Sequence, residues 1–167
     1  MIKVIITGPE CSGKTTLCHN LSKHFNAKKV HEYAREFLNK SNNHYNYDDL
    51  ITIAKSQYKN EKENYIEKVI FCDTDLITIK IWSEYKYQKC DDWIVQKINS
   101  QKKEKRIYLL CKPDLQWEYD PQRENQNSRA ELFNIYYTEL LRNKYKFFVI
   151  EGKNRFDSAL NYLKNII

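Results

Sequence analysis

Five short strand-like runs punctuate the chain: "KVIIT" (3–7), "KKVHE" (28–32), "VIFCD" (69–73), "RIYLLC" (106–111) and "FFVIE" (147–151). Longer stretches with helical spacing lie between them. A helix is predicted from the loop after the first run through Phe25, and another over "YAREFLNK" (33–40). Leu50, Ile53, Ala54 and Tyr58 recur at helical intervals, which predicts a long polar helix over 47–67. Helices are also expected across 75–101, over about 129–143, and after the last run. The alternation predicts an α/β three-layer sandwich, with a five-stranded parallel sheet covered by helices on both faces. In that architecture ligands gather at the carboxyl ends of the strands.

Composition narrows the class. A chain of 167 residues reads as one domain, and 30% charged with 14% aromatic residues describes a globular chain. The net charge of +6 suits an anionic partner such as a nucleotide. Lysines are scattered, and the one dense cluster, "QKKEKR" (101–106), reads as a solvated loop ahead of a nucleic-acid contact. The five cysteines (11, 18, 72, 90, 111) form no C-x-x-C pair, so neither zinc spacing nor a disulfide framework is expected. Cys72 and Cys111 sit inside strand-like runs as small buried hydrophobes. No apolar run reaches membrane-span length and no leader is recognised, so a cytoplasmic location is expected. "NKSNNHYNYDD" (39–49) is the most loop-like segment, with Asp48 and Asp49 near a helix start.

"GPECSGKTT" (8–16) follows the first strand and carries the chemistry. Gly8, Gly13, Lys14 and Thr15 satisfy G-x-x-x-x-G-K-[ST], the Walker A or P-loop pattern. Its glycines let successive backbone N–H groups point at phosphate oxygens, and the helix that follows adds its positive end. Lys14 is placed to reach the β- and γ-phosphates, and Thr15 to ligate Mg²⁺. A guanine switch is excluded by the missing D-x-x-G and by "NKSN" (39–42), which lacks the acid of N-K-x-D.

A phosphotransferase needs an acid beside this loop and positive charge over the γ-phosphate. Asp73 ends one strand and is a candidate for the metal shell. Asp75 reads as the N-cap of the next helix, with a place on the acceptor side as the other role. Glu32 ends another strand with Arg35 one turn on; it suits a base, a ribose contact or a helix-start partner of Arg35. The choice of base between Glu32 and Asp73 stays open. "KPDLQWEYDPQRENQNSR" (112–129) carries Pro113 and Pro121, which break regular structure, and reads as a lid. Its Arg123 and Arg129 are suited to stabilising transferred phosphate, and Trp117 to stacking on a planar ring or packing on the neighbouring helix.

"GPECSGKTTL", "EYAREF", "FCDTD…T…W", "YLLCKPDLQWEYDPQR" and "VIEGKNR…A" occur in this order, and together resemble the ribosylnicotinamide kinase domain of NadR-type proteins. The resemblance spans nearly the whole chain, though "DPQREN" stands where the family carries a glycine near the arginine. It implies a P-loop kinase fold and ATP-dependent phosphorylation of the 5′-hydroxyl of nicotinamide riboside, giving nicotinamide mononucleotide for NAD salvage. ATP and Mg²⁺ are the implied cofactors. The loop residues, Glu10, Cys11, Ser12 and Thr16 included, would hold ATP, with Gly152 and Arg155 near the adenine. Glu32, Tyr33 and Arg35 would face the acceptor, Trp117 would stack on the nicotinamide ring, and Asp120 would sit near the flat cation. The chain is expected to stand alone, residues 1–167 forming one kinase domain without the family's adenylyltransferase domain. Another nucleoside or nucleotide acceptor, or a regulatory ATPase, is the alternative. No membrane partner is expected.

Overall fold

The computed structural model describes residues 1–63 and 67–167. In chain order the elements are β1 (Ile2–Thr7), α1 (Lys14–His24), β2 (Lys28–Val30), α2 (Tyr33–Lys40), α3 (Tyr47–Lys62), β3 (Val69–Asp73), α4 (Leu76–Tyr87), α5 (Asp92–Gln101), β4 (Lys105–Cys111), α6 (Arg129–Arg142), β5 (Lys146–Ile150) and α7 (Arg155–Leu163). The strands form one parallel sheet in the order β2-β3-β1-β4-β5.

Alternation along β1 builds both layers. Val4 and Ile6 point to one face, where they meet Leu17 and Leu21 of α1 and Ala159 and Leu163 of α7. Ile5 points to the other, joining Cys72, Tyr108 and Leu110 beneath helices α3 to α6. Val4, Ile5 and Ile6 are each fully buried, and burying such a side chain stabilises by about 1.5–3 kcal/mol. The α4 helix lies inside this larger layer, with Leu76, Ile77, Ile79 and Ile81 all buried. Asn46 caps α3 through a reciprocal box with Asp49, which explains why a loop-like sequence turns helical at Tyr47.

Several boundaries differ from expectation. The β2 strand stops at Val30, so Glu32 is the N-cap of α2 and not a strand residue. The helix expected over 47–67 ends at Lys62, and residues 64–66 of that expectation lie outside the described residues. The helices expected across 75–101 are present as α4 and α5, separated where Gln88 closes α4 in the left-handed conformation (φ 57°). The "QKKEKR" cluster is a solvated turn only in its middle: Lys102, Lys103 and Lys105 are exposed, while Gln101 is 1% and Arg106 4% exposed. Arg106, the second residue of β4, pairs with Glu61 at 2.9 Å, Asp75 at 2.8 Å and Glu104 at 3.0 Å. No described helix is long and apolar enough to cross a membrane.

The sheet register positions the chemistry. Ile6 of β1 lies opposite Asp73 of β3, so the loop that leaves β1 emerges beside that acid.

Candidate active site

The loop from Gly8 to Thr16 turns tightly between β1 and α1. Gly8 has φ 133°, and a Cβ there would press into the carbonyl oxygen of Cys111. Gly13 caps α1 in the left-handed conformation, φ 77°. The Lys14 ammonium donates to the Pro9 carbonyl at 2.6 Å, and Ser12 Oγ donates to the same oxygen at 2.7 Å. Arg155 braces the loop from behind: it donates to the Ser12 carbonyl at 3.1 Å and the Lys112 carbonyl at 3.0 Å, and pairs with Asp114. It is buried, and its role here is to hold the loop and the β4 exit together.

A cavity of about 470 Å³ opens in front of the loop, within the size range of small-ligand sites. Its floor is made by the loop itself, Gly8 through Thr16. The far wall comes from one face of α4, where Thr78, Ile81, Trp82 and Tyr85 follow at helical spacing. Ala34, Arg35 and Leu38 of α2 and Leu132 and Tyr136 of α6 complete it, and Arg123 leans in from the β4–α6 segment.

Glu32 stands where loop and wall meet. Burial pushes its carboxyl above the ordinary range, and the Asp73 charge adds to that. Lys14, Arg35 and a hydrogen bond from Thr74 pull the other way. Although part of Glu32 faces the cavity, the protein mass around it desolvates the carboxylate. Asp73 is 2% exposed; its Oδ2 lies 3.9 Å from Lys29 Nζ, and its Oδ1 has no hydrogen-bond partner among the described residues. An orphaned buried carboxylate oxygen costs about 1–3 kcal/mol, so its presence points to a missing ligand. With Thr15 on the cavity wall, this hard-oxygen set fits Mg²⁺.

Other expected site residues are placed elsewhere. Asp75 does not face the acceptor side. It caps α4 by accepting from the Ile77 N–H at 3.0 Å, and its second oxygen accepts from Arg106 at 2.8 Å and Tyr108 at 2.6 Å. Trp117 is off the cavity wall, with the guanidinium groups of Arg123 and Arg129 over its ring at 5.8 Å and 5.4 Å. Arg129 donates to the carbonyls of Leu115 at 3.1 Å and Cys11 at 3.4 Å, so it ties the segment to the loop. Asp120 pairs with Arg35 at 3.0 Å, and the ring of Tyr33 packs into the larger core. The Gly152 N–H donates to Asp114 at 2.7 Å, away from the cavity.

Sequence reasoning missed most of the wall. Thr78, Ile81, Trp82 and Tyr85 share a helix face, but α4 also buries its other sides, so spacing alone does not mark that face as open. Tyr136 and Leu132 carry no local signal.

A Walker loop at the carboxyl end of β1, with an acid ending the adjacent β3 in this strand order, defines a P-loop protein with the nucleoside-kinase fold. A family model described as an AAA domain matches residues 3–156, and the chain belongs to that family. The resemblance to NadR-type proteins is borne out by curated relatives. The chain is 29% identical over 159 residues to the trifunctional NAD biosynthesis/regulator protein NadR of Escherichia coli (strain K12), covering 90% of this chain and 38% of the relative. Its namesake in Salmonella typhimurium is 30% identical over 113 residues, covering 64% of this chain and 27% of the relative. The chain thus spans well under half the length of these relatives. A solved NadR protein in complex with NR superposes with a TM-score of 0.81 at 19% identity, over 98% of this chain and 51% of that one. Thymidylate kinase from Ehrlichia chaffeensis shares the fold at a TM-score of 0.66 and 15% identity, over 99% of this chain and 98% of that one.

Proposed function

We propose that the chain is an ATP-dependent kinase acting on a nucleoside, with nicotinamide riboside as acceptor and its 5′-hydroxyl as the nucleophile. The observation that carries this reading is a cavity in which a Walker loop faces an aromatic wall, with the Glu32 carboxylate between them. The names of the NadR relatives and the NR-bound structure supply the acceptor.

In this reading the loop N–H groups and Lys14 hold the ATP phosphates, the lysine exchanging the Pro9 carbonyl for phosphate oxygens. Thr15 and Asp73 would hold Mg²⁺, which neutralises phosphate charge when bound. The acceptor lies against Trp82 and Tyr85, whose faces suit a flat pyridinium cation. Glu32 takes the proton of the 5′-hydroxyl as its oxygen bonds to the γ-phosphorus. The bond from phosphorus to the β–γ bridging oxygen breaks, and ADP leaves with that electron pair. A carboxyl raised above its ordinary range is the stronger base for this step. Arg123, at the cavity mouth, offsets charge on the transferred group. Such a kinase works on cytoplasmic metabolites, and the β4–α6 segment serves as its lid.

The test is an ADP-release assay against a panel of nucleosides that includes nicotinamide riboside. Stimulation of turnover by that nucleoside above all others is the expected result. Turnover no greater than the water background with every nucleoside would overturn the kinase reading.

A further inference from the structure

Glu10 sits inside the Walker loop, where a carboxylate beside bound phosphates is electrostatically unfavourable. Its contacts explain it. Glu10 Oε2 accepts from the Asn125 N–H at 2.8 Å, and Oε1 accepts from the Glu124 N–H at 3.1 Å and Asn125 Nδ2 at 3.3 Å. Two consecutive backbone amides thus grip one loop carboxylate, immediately after Arg123.

The next residue makes a parallel tie. Cys11 holds φ 51°, and its sulfur accepts from the Glu118 N–H at 3.3 Å and donates to the Gln116 carbonyl at 3.4 Å. Adjacent loop residues therefore carry both ends of the segment that brings Arg123 to the cavity. The Glu124 side chain continues to the opposite wall. It accepts from Tyr45 Oη at 2.7 Å and from Lys86 at 2.9 Å, and Trp82 Nε1 donates to the same Tyr45 oxygen at 2.9 Å.

We infer that Glu10 is a positioning residue that clamps the lid to the Walker loop and sets Arg123 over the cavity, with Glu124 and Tyr45 relaying that clamp to the Trp82 wall. Glu10 does not bind phosphate. The inference rests on the kinase reading for its catalytic consequence, but the clamp itself is read without any acceptor. A loosened lid lowers the transfer rate and admits water, and leaves ATP affinity to the rest of the loop.

The experiment compares the full chain with Glu10→Ala, Glu10→Gln and Tyr45→Phe variants. Amide hydrogen exchange at Glu124 and Asn125, measured without acceptor, speeds at least about tenfold in Glu10→Ala and less in Glu10→Gln, which keeps one acceptor oxygen. In turnover assays Glu10→Ala lowers kcat about 10- to 100-fold with the KM for ATP nearly unchanged, and more ATP is lost to water per transfer. Tyr45→Phe raises the acceptor KM and spares that for ATP. Wild-type exchange at both amides in Glu10→Ala overturns the clamp, as does a rise in the ATP KM at unchanged kcat. If no nucleoside supports turnover, the exchange result still decides the clamp, while the kinase reading fails separately.

Discussion

Asp73 and Asp75 stand two positions apart in "CDTD", and both are buried, yet they meet opposite surroundings. Asp75 has both oxygens satisfied, by the first turn of α4, by Arg106 and by Tyr108. Asp73 keeps one oxygen without a partner among the described residues. The residue between them makes the difference. Thr74 holds φ 65°, a left-handed conformation that costs a β-branched residue about 1–3 kcal/mol. The turn leaves Asp73 beside the Walker loop and delivers Asp75 to the opposite layer, among Glu61, Arg106 and Lys3. One carboxylate holds the fold; its near neighbour keeps an oxygen unpartnered among the described residues. Strain at the intervening residue is what allows both.

The comparison can be broken at either acid. Asp75→Ala removes the α4 cap and leaves Arg106 short of a counter-charge, so chemical unfolding should show a loss of about 3–5 kcal/mol. A loss under about 1 kcal/mol would mean that the buried network does not need Asp75. Asp73→Asn should do the reverse, lowering kcat about 10²- to 10³-fold while changing the unfolding free energy by less than about 1 kcal/mol. Parallel losses of activity and stability in both variants would erase the distinction between the two acids.

The rim of the Asp75 cluster sharpens the contrast with pH. Burial raises the Glu104 carboxyl, but hydrogen bonds from Lys62 and Lys3 outweigh it and hold the group at about 2, against an ordinary 4.5. A depressed carboxyl stabilises above its unfolded value and loses that contribution as pH falls through its folded one. Stability should therefore drop by about 1–3 kcal/mol between pH 4.5 and 2, and Glu104→Gln should flatten that drop in urea titrations across this range.

At Glu32, the neighbour of the open acid, the sign is opposite. Glu32 is raised by burial and by Asp73. Its contribution to stability is present below 4.5 and is lost as pH rises through the elevated value, while its service as a base begins only above that value. The acid limb of kcat/KM should lie above 4.5, and neutralising Asp73 should lower the Glu32 titration seen by carboxyl-carbon NMR. A Glu32 titration that is unmoved in Asp73→Asn would show that the two carboxylates do not interact.

The contrast also explains what was legible beforehand. The Walker loop reads directly from sequence because its hydrogen bonds close within a few residues, such as Ser12 and Lys14 onto Pro9. The strands read from their apolar runs, and "VIFCD" is β3 residue for residue. The cavity wall did not read, since Leu38, Trp82 and Tyr136 come from three helices and each helix also packs against the core. Of the two roles open to Trp117, its contact with Arg129 at the start of α6 matches packing on the neighbouring helix, and the ring does not line the cavity.

The sequence by itself determined the strand–helix alternation, the phosphate loop and the acid that ends β3. Those features depend on local periodicity and on contacts a few residues long. Only the tertiary structure decided that Asp75 also anchors Arg106 and Tyr108, that Glu10 faces the β4–α6 segment, and that α4 turns one side to a cavity. Each of these depends on a partner far along the chain: Arg106 for Asp75, Asn125 for Glu10, and α6 for the α4 face. A carboxylate's role follows from its neighbours in space, which local pattern does not encode.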